Sequence, residues 1–301
     1  MEKKKTLVGL ALLLVISIVI KFNLPADVPV AEESVSDEGE PAIPDSEDGA
    51  VTYVLETLDN NLTEIHILGG FEWNAGQSKN LEEAIRSIEA EGNIVGLELI
   101  DIHSGQGIAY NEKYPFYSAS SIKGPYIISL AARDFQAVEA FEPVIKDVTV
   151  ASSNDSYWNL QQYFGMSAYE DLCRKAGVSP SNHEGGFTFY SAEELARLWL
   201  LCDRYLVSSE NGAVVGEWLS EPDTSAIRAV LGDRYATWNK GGWFYEEGSD
   251  EHEYHATIDA GIVRAGNNPY VIVVMTDLPA EMEKLEPIVA TLDSLHESMI
   301  K

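Results

Sequence analysis

The chain has 301 residues, of which 45% are hydrophobic and 23% are charged, and its formal net charge is −29. This length is enough to bury one large hydrophobic core or two closely packed lobes. The charge argues against nucleic acid, and against an anionic membrane surface, as partners of the folded part, because both are bound by clustered lysine and arginine. An acidic surface fits a soluble domain that works outside the cell.

The N-terminus has the pattern of a segment that directs a chain to a membrane. Residues 1–5 form a basic head, and residues 6–24 are almost entirely apolar. The apolar run predicts either an uncleaved signal anchor or a cleaved signal peptide, and the absence of a small-x-small cleavage site favours the anchor. Residues 25–50, rich in Glu, Asp, Ser and Pro, are expected to be a disordered acidic spacer. Both alternatives place the rest of the chain outside the cytoplasm.

Residues 51–301 are predicted to form the folded domain, which begins with a helix and a hairpin. The first part, residues 51–76, alternates too imperfectly to assign an element. Apolar residues at helical spacing predict an amphipathic helix over Leu81–Ile88. Ile94–Ile102 has the pattern of a strand, and Gln106–Tyr110 is its predicted hairpin partner.

Helical patterns dominate the middle of the chain, from Ile122 to about Tyr205. One of these helices includes Ala192–Trp199, with Ser191 as its N-cap. Glu194 stands three residues after this serine, where the glutamate of a capping box is found. These two residues therefore predict where this helix starts.

Strand patterns return in the last third of the chain. Three strands are predicted, over Ala236–Phe244, His255–Val263 and Tyr270–Thr276, and an amphipathic helix follows over Ala280–Met299. This order predicts an α+β fold with one five-stranded antiparallel sheet. The terminal helices would pack on one face of the sheet, and an all-helical lobe at about residues 122–235 would be inserted between the strands.

The stretch Ser120-Ser121-Ile122-Lys123 carries the strongest chemical signal. Residues three apart lie on one face of a helix, so the Ser120 hydroxyl and the Lys123 amine can meet. Serine is a poor nucleophile until a base takes its proton, and a lysine removed from water can be that base. Backbone N–H groups at the helix start can hold the oxyanion that forms when Ser120 attacks a carbonyl. Taken alone the motif is weak, because a capping serine followed by an exposed lysine is common.

Further motifs resemble those of the penicillin-recognising serine hydrolases, most closely the class A β-lactamase-like branch. These enzymes carry S-x-x-K, then S-D-N, then K-T-G on a strand that lines the site. Here S-x-x-K is followed by Ser153-Asn154-Asp155, by Asn159-Leu160, and by Lys240-Gly241-Gly242 on a predicted strand. The resemblance extends from about residue 81 to the C-terminus and implies the β-lactamase/transpeptidase fold.

The resemblance implies a role for each matching residue. Ser120 would be the nucleophile and Lys123 its general base, while Ser153 would pass a proton to the leaving nitrogen. Lys240 would lower nearby pKa values and attract an anionic substrate group. The oxyanion would lie between the N–H groups of Ser120 and Trp243. The residues expected to complete the substrate-binding set are Asp155, Asn159, Gly241 and Gly242, although a purely structural role is equally open for Asn159.

Three departures from the family pattern bear on turnover. Asp155 stands where the family has an asparagine, and a carboxylate there can pair with Lys123 and raise its pKa, which makes a poorer base. Gly241 lacks the hydroxyl that K-T-G offers to a substrate carboxylate. The E-x-x-L-N loop, whose glutamate activates the deacylating water in class A enzymes, is missing. Glu184 is the one carboxylate in the short segment that replaces it, and an exposed turn residue is its alternative role.

Other polar residues are candidates for anchoring a substrate, for crosslinking or for metal binding. Arg228 and Arg264 are candidates to anchor a substrate carboxylate. Cys173 and Cys202 predict either one disulfide or two buried free thiols. The cluster His252-Glu253-Tyr254-His255 lacks the spacing of H-E-x-x-H, so no metal is expected.

Two hypotheses for function follow. In the first, the chain is a membrane-tethered extracytoplasmic serine hydrolase that attacks a β-lactam or a cell-wall D-Ala-D-Ala-type amide through a Ser120 acyl-enzyme, and the missing loop argues against β-lactamase turnover. In the second, it is a catalytically degenerate binding or scaffold protein of the cell envelope with the same fold. Both expect a monomer that has no cofactor, binds no nucleic acid and contacts the membrane only through its N-terminal segment.

Overall fold

The computed structural model describes residues 65–69, 75–179, 187–245 and 254–300. The predicted basic head, signal segment and acidic spacer lie outside these ranges, as do Glu184, His252 and Glu253. Within the described ranges no helix combines the length and the apolar character needed to cross a membrane.

The order of elements follows the predicted α+β pattern. The strands are β1 His66–Leu68, β2 Val95–Asp101, β3 Gly107–Tyr110, β4 Phe116–Tyr117, β5 Phe189–Tyr190, β6 Ala236–Phe244, β7 Ala256–Arg264 and β8 Tyr270–Thr276. The helices are α1 Ala75–Glu89, α2 Lys123–Arg133, α3 Phe135–Glu139, α4 Glu142–Thr149, α5 Asn154–Phe164, α6 Ser167–Ala176, α7 Ala192–Ser208, α8 Glu210–Trp218, α9 Ala226–Leu231 and α10 Glu286–Met299. Short 3-10 segments over Ala119–Ile122 and Met282–Leu285 lead into α2 and α10.

One antiparallel sheet forms the centre of the described domain, with the strand order β1-β3-β2-β8-β7-β6. It contains the five predicted strands, so the predicted α+β fold is confirmed. The sixth strand, β1, comes from the stretch for which the pattern predicts no element, and it pairs with β3 at one edge of the described sheet. β4 and β5 form a separate two-stranded pair.

Strand β8 shows how the sheet is covered on both faces. All of its residues are fully buried. Side chains alternate between the faces of a strand, and every second one from Tyr270 to Val274 packs into a core cluster with α1, α9 and α10. The intervening side chains face the other side, where α7 packs on the sheet. The predicted packing of the terminal helices on one face is therefore confirmed.

Helix α7 begins where the sequence predicts. Ser191 Oγ accepts a hydrogen bond from the Glu194 N–H at 3.2 Å, and Glu194 Oε2 accepts one from the Ser191 N–H at 2.9 Å. The capping box is thus complete, and a cap of this kind stabilises a helix by about 1 kcal/mol. The capping box therefore fixes the N-terminal end of α7, the helix that packs on this face of the sheet.

The two cysteines are buried free thiols, so of the two open alternatives the disulfide is not formed. Cys173 lies on α6 and Cys202 on α7. Burial raises the pKa of both thiols, that of Cys173 to about 11. Both are therefore protonated at neutral pH and behave as small apolar side chains.

Candidate active site

Ser120 lies in a strained turn between β4 and α2. Ala119, the residue before it, has a φ of +43°, a left-handed conformation that costs a non-glycine residue on the order of 1–3 kcal/mol. The Ser121 hydroxyl donates to the Ser118 carbonyl at 2.7 Å, and the Ser118 N–H donates to the Thr188 carbonyl at 2.8 Å. The turn is therefore held by the surrounding structure, as strained turns at functional sites are.

Lys123 is the first residue of α2 and is fully buried. Its Nζ donates two hydrogen bonds of 2.7 Å, one to the carbonyl oxygen of Ser152 and one to Asn154 Oδ1. The rings of Tyr157 and Phe187 lie 5.3 and 5.6 Å from the same atom. The amine is thus held between two oxygens and two aromatic rings.

This environment favours the neutral form of Lys123. Burial is the main cause and the nearby charge of Lys240 adds to it, while Asp147 opposes both; together they lower the pKa of Lys123 from 10.5 to about 7. A large share of the amine is then unprotonated at neutral pH. The lysine can accept a proton, as a general base must.

Ser152, rather than Ser153, lies beside the two lysines. Lys240 Nζ donates to Ser152 Oγ at 3.0 Å. Ser153 is the N-cap of α5, and its Oγ accepts from the Ser156 N–H at 3.2 Å. The structure therefore brings Ser152 to Lys240, while the hydroxyl of Ser153, the predicted proton donor, caps α5. Ser152 also has a positive φ, +59°, the second strained non-glycine residue at this site.

The same shift by one residue applies to the next predicted position. Asp155, expected beside Lys123, is exposed in the first turn of α5, and Asn154 takes its place. The motif is therefore Ser152-Ser153-Asn154, which has the asparagine of the family pattern at its third position. This signal was present in the sequence. Because the partner is a neutral amide, it does not raise the lysine pKa as the predicted carboxylate would.

Asn159, the other predicted polar residue of α5, is exposed further along the helix. It is not one of the groups that hold Lys123 or Lys240. Its part in substrate binding stays a prediction.

Strand β6 brings Lys240-Gly241-Gly242 against the Ser120 turn. Lys240 is buried, its Nζ also donates to the Gly241 carbonyl at 2.7 Å, and burial lowers its pKa to about 8 against the opposing effect of Asp259. A Cβ on Gly242 would lie 2.8 Å from the Ser120 nitrogen. Only glycine allows the strand and the turn to approach this closely.

Gly241 is also required by its surroundings. A Cβ at this position would lie 2.6 Å from the carbonyl oxygen of Thr224, in the loop before α9. The threonine of K-T-G does not fit here without a shift of that loop. The Thr224 loop therefore leaves no room for the side chain that carries this hydroxyl in the family.

The Trp243 N–H points away from the sheet. β6 is an edge strand, and the N–H of Asn239 donates outward to the Leu219 carbonyl at 3.4 Å. Backbone groups of a strand alternate with a period of two, so the Trp243 N–H lies on the same outer edge. This is the orientation that the predicted oxyanion role requires.

The candidate arginines have other partners. Arg264 pairs with Asp203 at 2.9 Å and stacks on the Trp238 ring at 5.0 Å. It ends β7 four residues beyond Ala260, the cross-strand partner of Lys240, which is about 13 Å along the strand. Arg264 is therefore held by Asp203, and its role as a substrate anchor stays a prediction. Arg228 pairs with the exposed Glu221 at 3.2 Å.

Comparison with known proteins agrees with this fold. A family model described as the Beta-lactamase enzyme family matches residues 143–294, just over half of the chain. The fold is similar to that of a β-lactamase from Sphaerobacter thermophilus DSM 20745, with a TM-score of 0.54 and 15% identity over 76% of this chain and 97% of that one. PBP-A gives a TM-score of 0.58 and 16% identity over 73% and 96%.

A class A β-lactamase from Clostridium kluyveri DSM 555 gives a TM-score of 0.56 and 15% identity, over 71% of this chain and 97% of that one. At these identities the likeness to solved structures shows the fold alone. A search of curated proteins found no match to the sequence.

Proposed function

Because the chain belongs to the β-lactamase enzyme family, we propose that it reacts with an amide or lactam carbonyl through an acyl-enzyme on Ser120. One observation carries the proposal: a buried lysine amine with a pKa of about 7 lies one helical turn after Ser120. Burying a lysine without a carboxylate partner is costly. The two hydrogen bonds that Lys123 donates to Ser152 and Asn154 offset this cost and keep the amine in place.

The proposed reaction has two proton transfers. Lys123 takes the hydroxyl proton as Ser120 Oγ attacks the carbonyl carbon, and the N–H groups of Ser120 and Trp243 stabilise the oxyanion. When the C–N bond breaks, the Ser152 hydroxyl, which accepts a hydrogen bond from Lys240, gives its proton to the leaving nitrogen. The proton held on Lys123 then returns to Ser152.

We further propose that the acyl-enzyme is long-lived. Hydrolysis of the ester needs a water held and activated by a base. The groups that contact Lys123 Nζ here are two neutral oxygens and the rings of Tyr157 and Phe187, and none of them is a carboxylate that could activate a water. Slow release fits a protein that binds penicillin-like compounds better than one that destroys them.

The proposed substrate is a β-lactam or a cell-wall D-Ala-D-Ala-type amide. The sequence patterns of residues 1–50 support a membrane-tethered domain outside the cytoplasm, which is where such substrates occur.

A fluorescent penicillin tests the proposal. The wild type should keep the label through denaturing electrophoresis, and Ser120→Ala should not be labelled. Ser152→Ala should be labelled about 10²–10⁴-fold more slowly, because general acid–base catalysis contributes that much. Ser153→Ala is the matched control: it should lose about 1 kcal/mol of stability as a helix cap and keep its labelling rate. Equal labelling of wild type and Ser120→Ala would contradict the proposal.

A binding or scaffold role is the second candidate. This role is supported by Gly241 on β6, because the Thr224 carbonyl occupies the space that the substrate-binding threonine of K-T-G would need. A folded wild type that takes no label from any penicillin or peptide ester would favour this role.

A further inference from the structure

A cluster of aromatic side chains lies next to the Ser120 turn. The ring centroid of Tyr117, three residues before Ser120, is 5.8 Å from that of Phe189, 5.6 Å from Phe244, 5.5 Å from Tyr254 and 6.4 Å from Phe187. All four contacts are edge-to-face, the geometry that aromatic pairs prefer. We call these five residues the aromatic wall.

The wall reaches from the reacting groups to the surface. At its inner end, the Phe187 ring lies 5.6 Å from Lys123 Nζ, and Phe244 directly follows Trp243. At its outer end, Phe189 is 37% exposed and Tyr254 36% exposed. Large apolar side chains left open beside polar catalytic groups are typical of a ligand pocket.

The direction of strand β6 indicates which part of a bound substrate would contact the aromatic wall. Lys240 stands three residues before Trp243, and Phe244 stands one residue after it. The two side chains therefore lie on opposite sides of the proposed oxyanion donor along the strand. A substrate whose leaving nitrogen is near Ser152 and Lys240 must extend its acyl part toward Phe244.

The leaving-group side offers little recognition by comparison. Gly241 provides no hydroxyl, and Arg264 is paired with Asp203 at 2.9 Å. Lys240, which contacts Ser152, can still attract an anionic group there. Because this side lacks the hydroxyl of the family motif, the acyl side can contribute a larger share of the affinity.

From this arrangement, and resting on the proposed function, we infer that the substrate carries an aromatic or bulky apolar acyl group next to the scissile carbonyl, and that this group packs on the aromatic wall. The wall is thus the specificity determinant of the site. Small or charged acyl groups would leave its rings exposed and would react more slowly.

Two penicillins that share one reacting ring test the inference. Benzylpenicillin carries a phenylacetyl group, and 6-aminopenicillanic acid carries a free amine at the same position. The second-order acylation rate of each is measured by intact-mass spectrometry on the full chain. The test variant is Phe189→Ser with Tyr254→Ser, both at the exposed end of the wall. The control is Tyr163→Ser, a ring 46% exposed on α5 that also packs on two other rings.

The wild type and the control should prefer benzylpenicillin, and the double variant should lose about 5- to 150-fold of that preference, as expected for two aromatic contacts. Its melting temperature, compared with that of the control, reports whether it is folded. Equal rates in the wild type, or a preference that survives in the folded double variant, would overturn the inference and leave the proposed function standing. If neither compound acylates the protein, the proposed function is wrong, and the inference that rests on it is wrong too.

Discussion

Replacing Asn154 by aspartate tests the proposed general base without removing it. Asn154 Oδ1 accepts a hydrogen bond from Lys123 Nζ at 2.7 Å, so Asn154→Asp places a carboxylate in contact with the amine. An opposite charge within hydrogen-bond distance favours the protonated amine and raises its pKa by about 1–3 units. The variant keeps the size and shape of the side chain.

The expected effect on rate follows from the neutral fraction of Lys123. With a pKa of about 7, about half of the amine is neutral at pH 7. A pKa higher by about 1–3 units leaves about one in ten to one in a thousand neutral, so acylation at pH 7 should slow about 5- to 500-fold. Because only the neutral amine accepts a proton, the whole pH–rate profile should move to higher pH, and the rate should recover in alkaline buffer.

The assay is the rate of acylation by a penicillin between about pH 5.5 and 10, a range that covers the ordinary and the lowered lysine pKa. Asp155→Asn is the matched control, because it removes an exposed carboxylate from the position that the sequence had placed beside the lysine. Its profile should coincide with that of the wild type. A profile for Asn154→Asp with an unchanged midpoint, or a shifted one for Asp155→Asn, would refute the reasoning.

Two further predictions concern stability. Glu98 is fully buried on β2, neither of its carboxylate oxygens has a hydrogen-bond partner among the described residues, and burial raises its pKa well above 4.5. Because the pKa of Glu98 is raised in the folded state, its contribution to stability is complete below the ordinary glutamate pKa. That contribution is lost at about 1.4 kcal/mol per pH unit as the pH rises toward the folded-state pKa. Urea unfolding of Glu98→Gln should therefore depend less on pH than that of the wild type or of the exposed control Glu217→Gln, and parallel curves for all three proteins would contradict this. Gly241→Thr restores the family motif but places its Cβ 2.6 Å from the Thr224 carbonyl, so it should cost about 1–3 kcal/mol and lower Tm by several degrees. An unchanged Tm would show that the loop yields.

The sequence predicts elements well where one strong local determinant acts. The apolar run Tyr270–Thr276 is a strand of the same bounds, and the capping box at Ser191 marks the start of α7. β1 could not be predicted because its three residues are held by pairing with β3 rather than by their own composition. Its formation depends on tertiary contact.

The register of the site depends on backbone geometry that a motif does not contain. Ser152 and Ser153 are adjacent serines, and the one that meets Lys240 is decided by the left-handed φ of the first and the capping role of the second. The asparagine at position 154 was the one local signal for the correct register. The pairing of Arg264 with Asp203, 61 residues apart, has no local signal.

Direct titration of Lys123 tests the central claim. Lysine labelled with carbon-13 gives NMR signals for the carbon beside each amine, and the Lys123 signal is the one missing from Lys123→Met. It should titrate with a pKa near 7, well below the usual 10.5. A Lys123 signal that titrates above pH 10, like that of an exposed lysine, would contradict the account, because an amine protonated at neutral pH cannot activate Ser120.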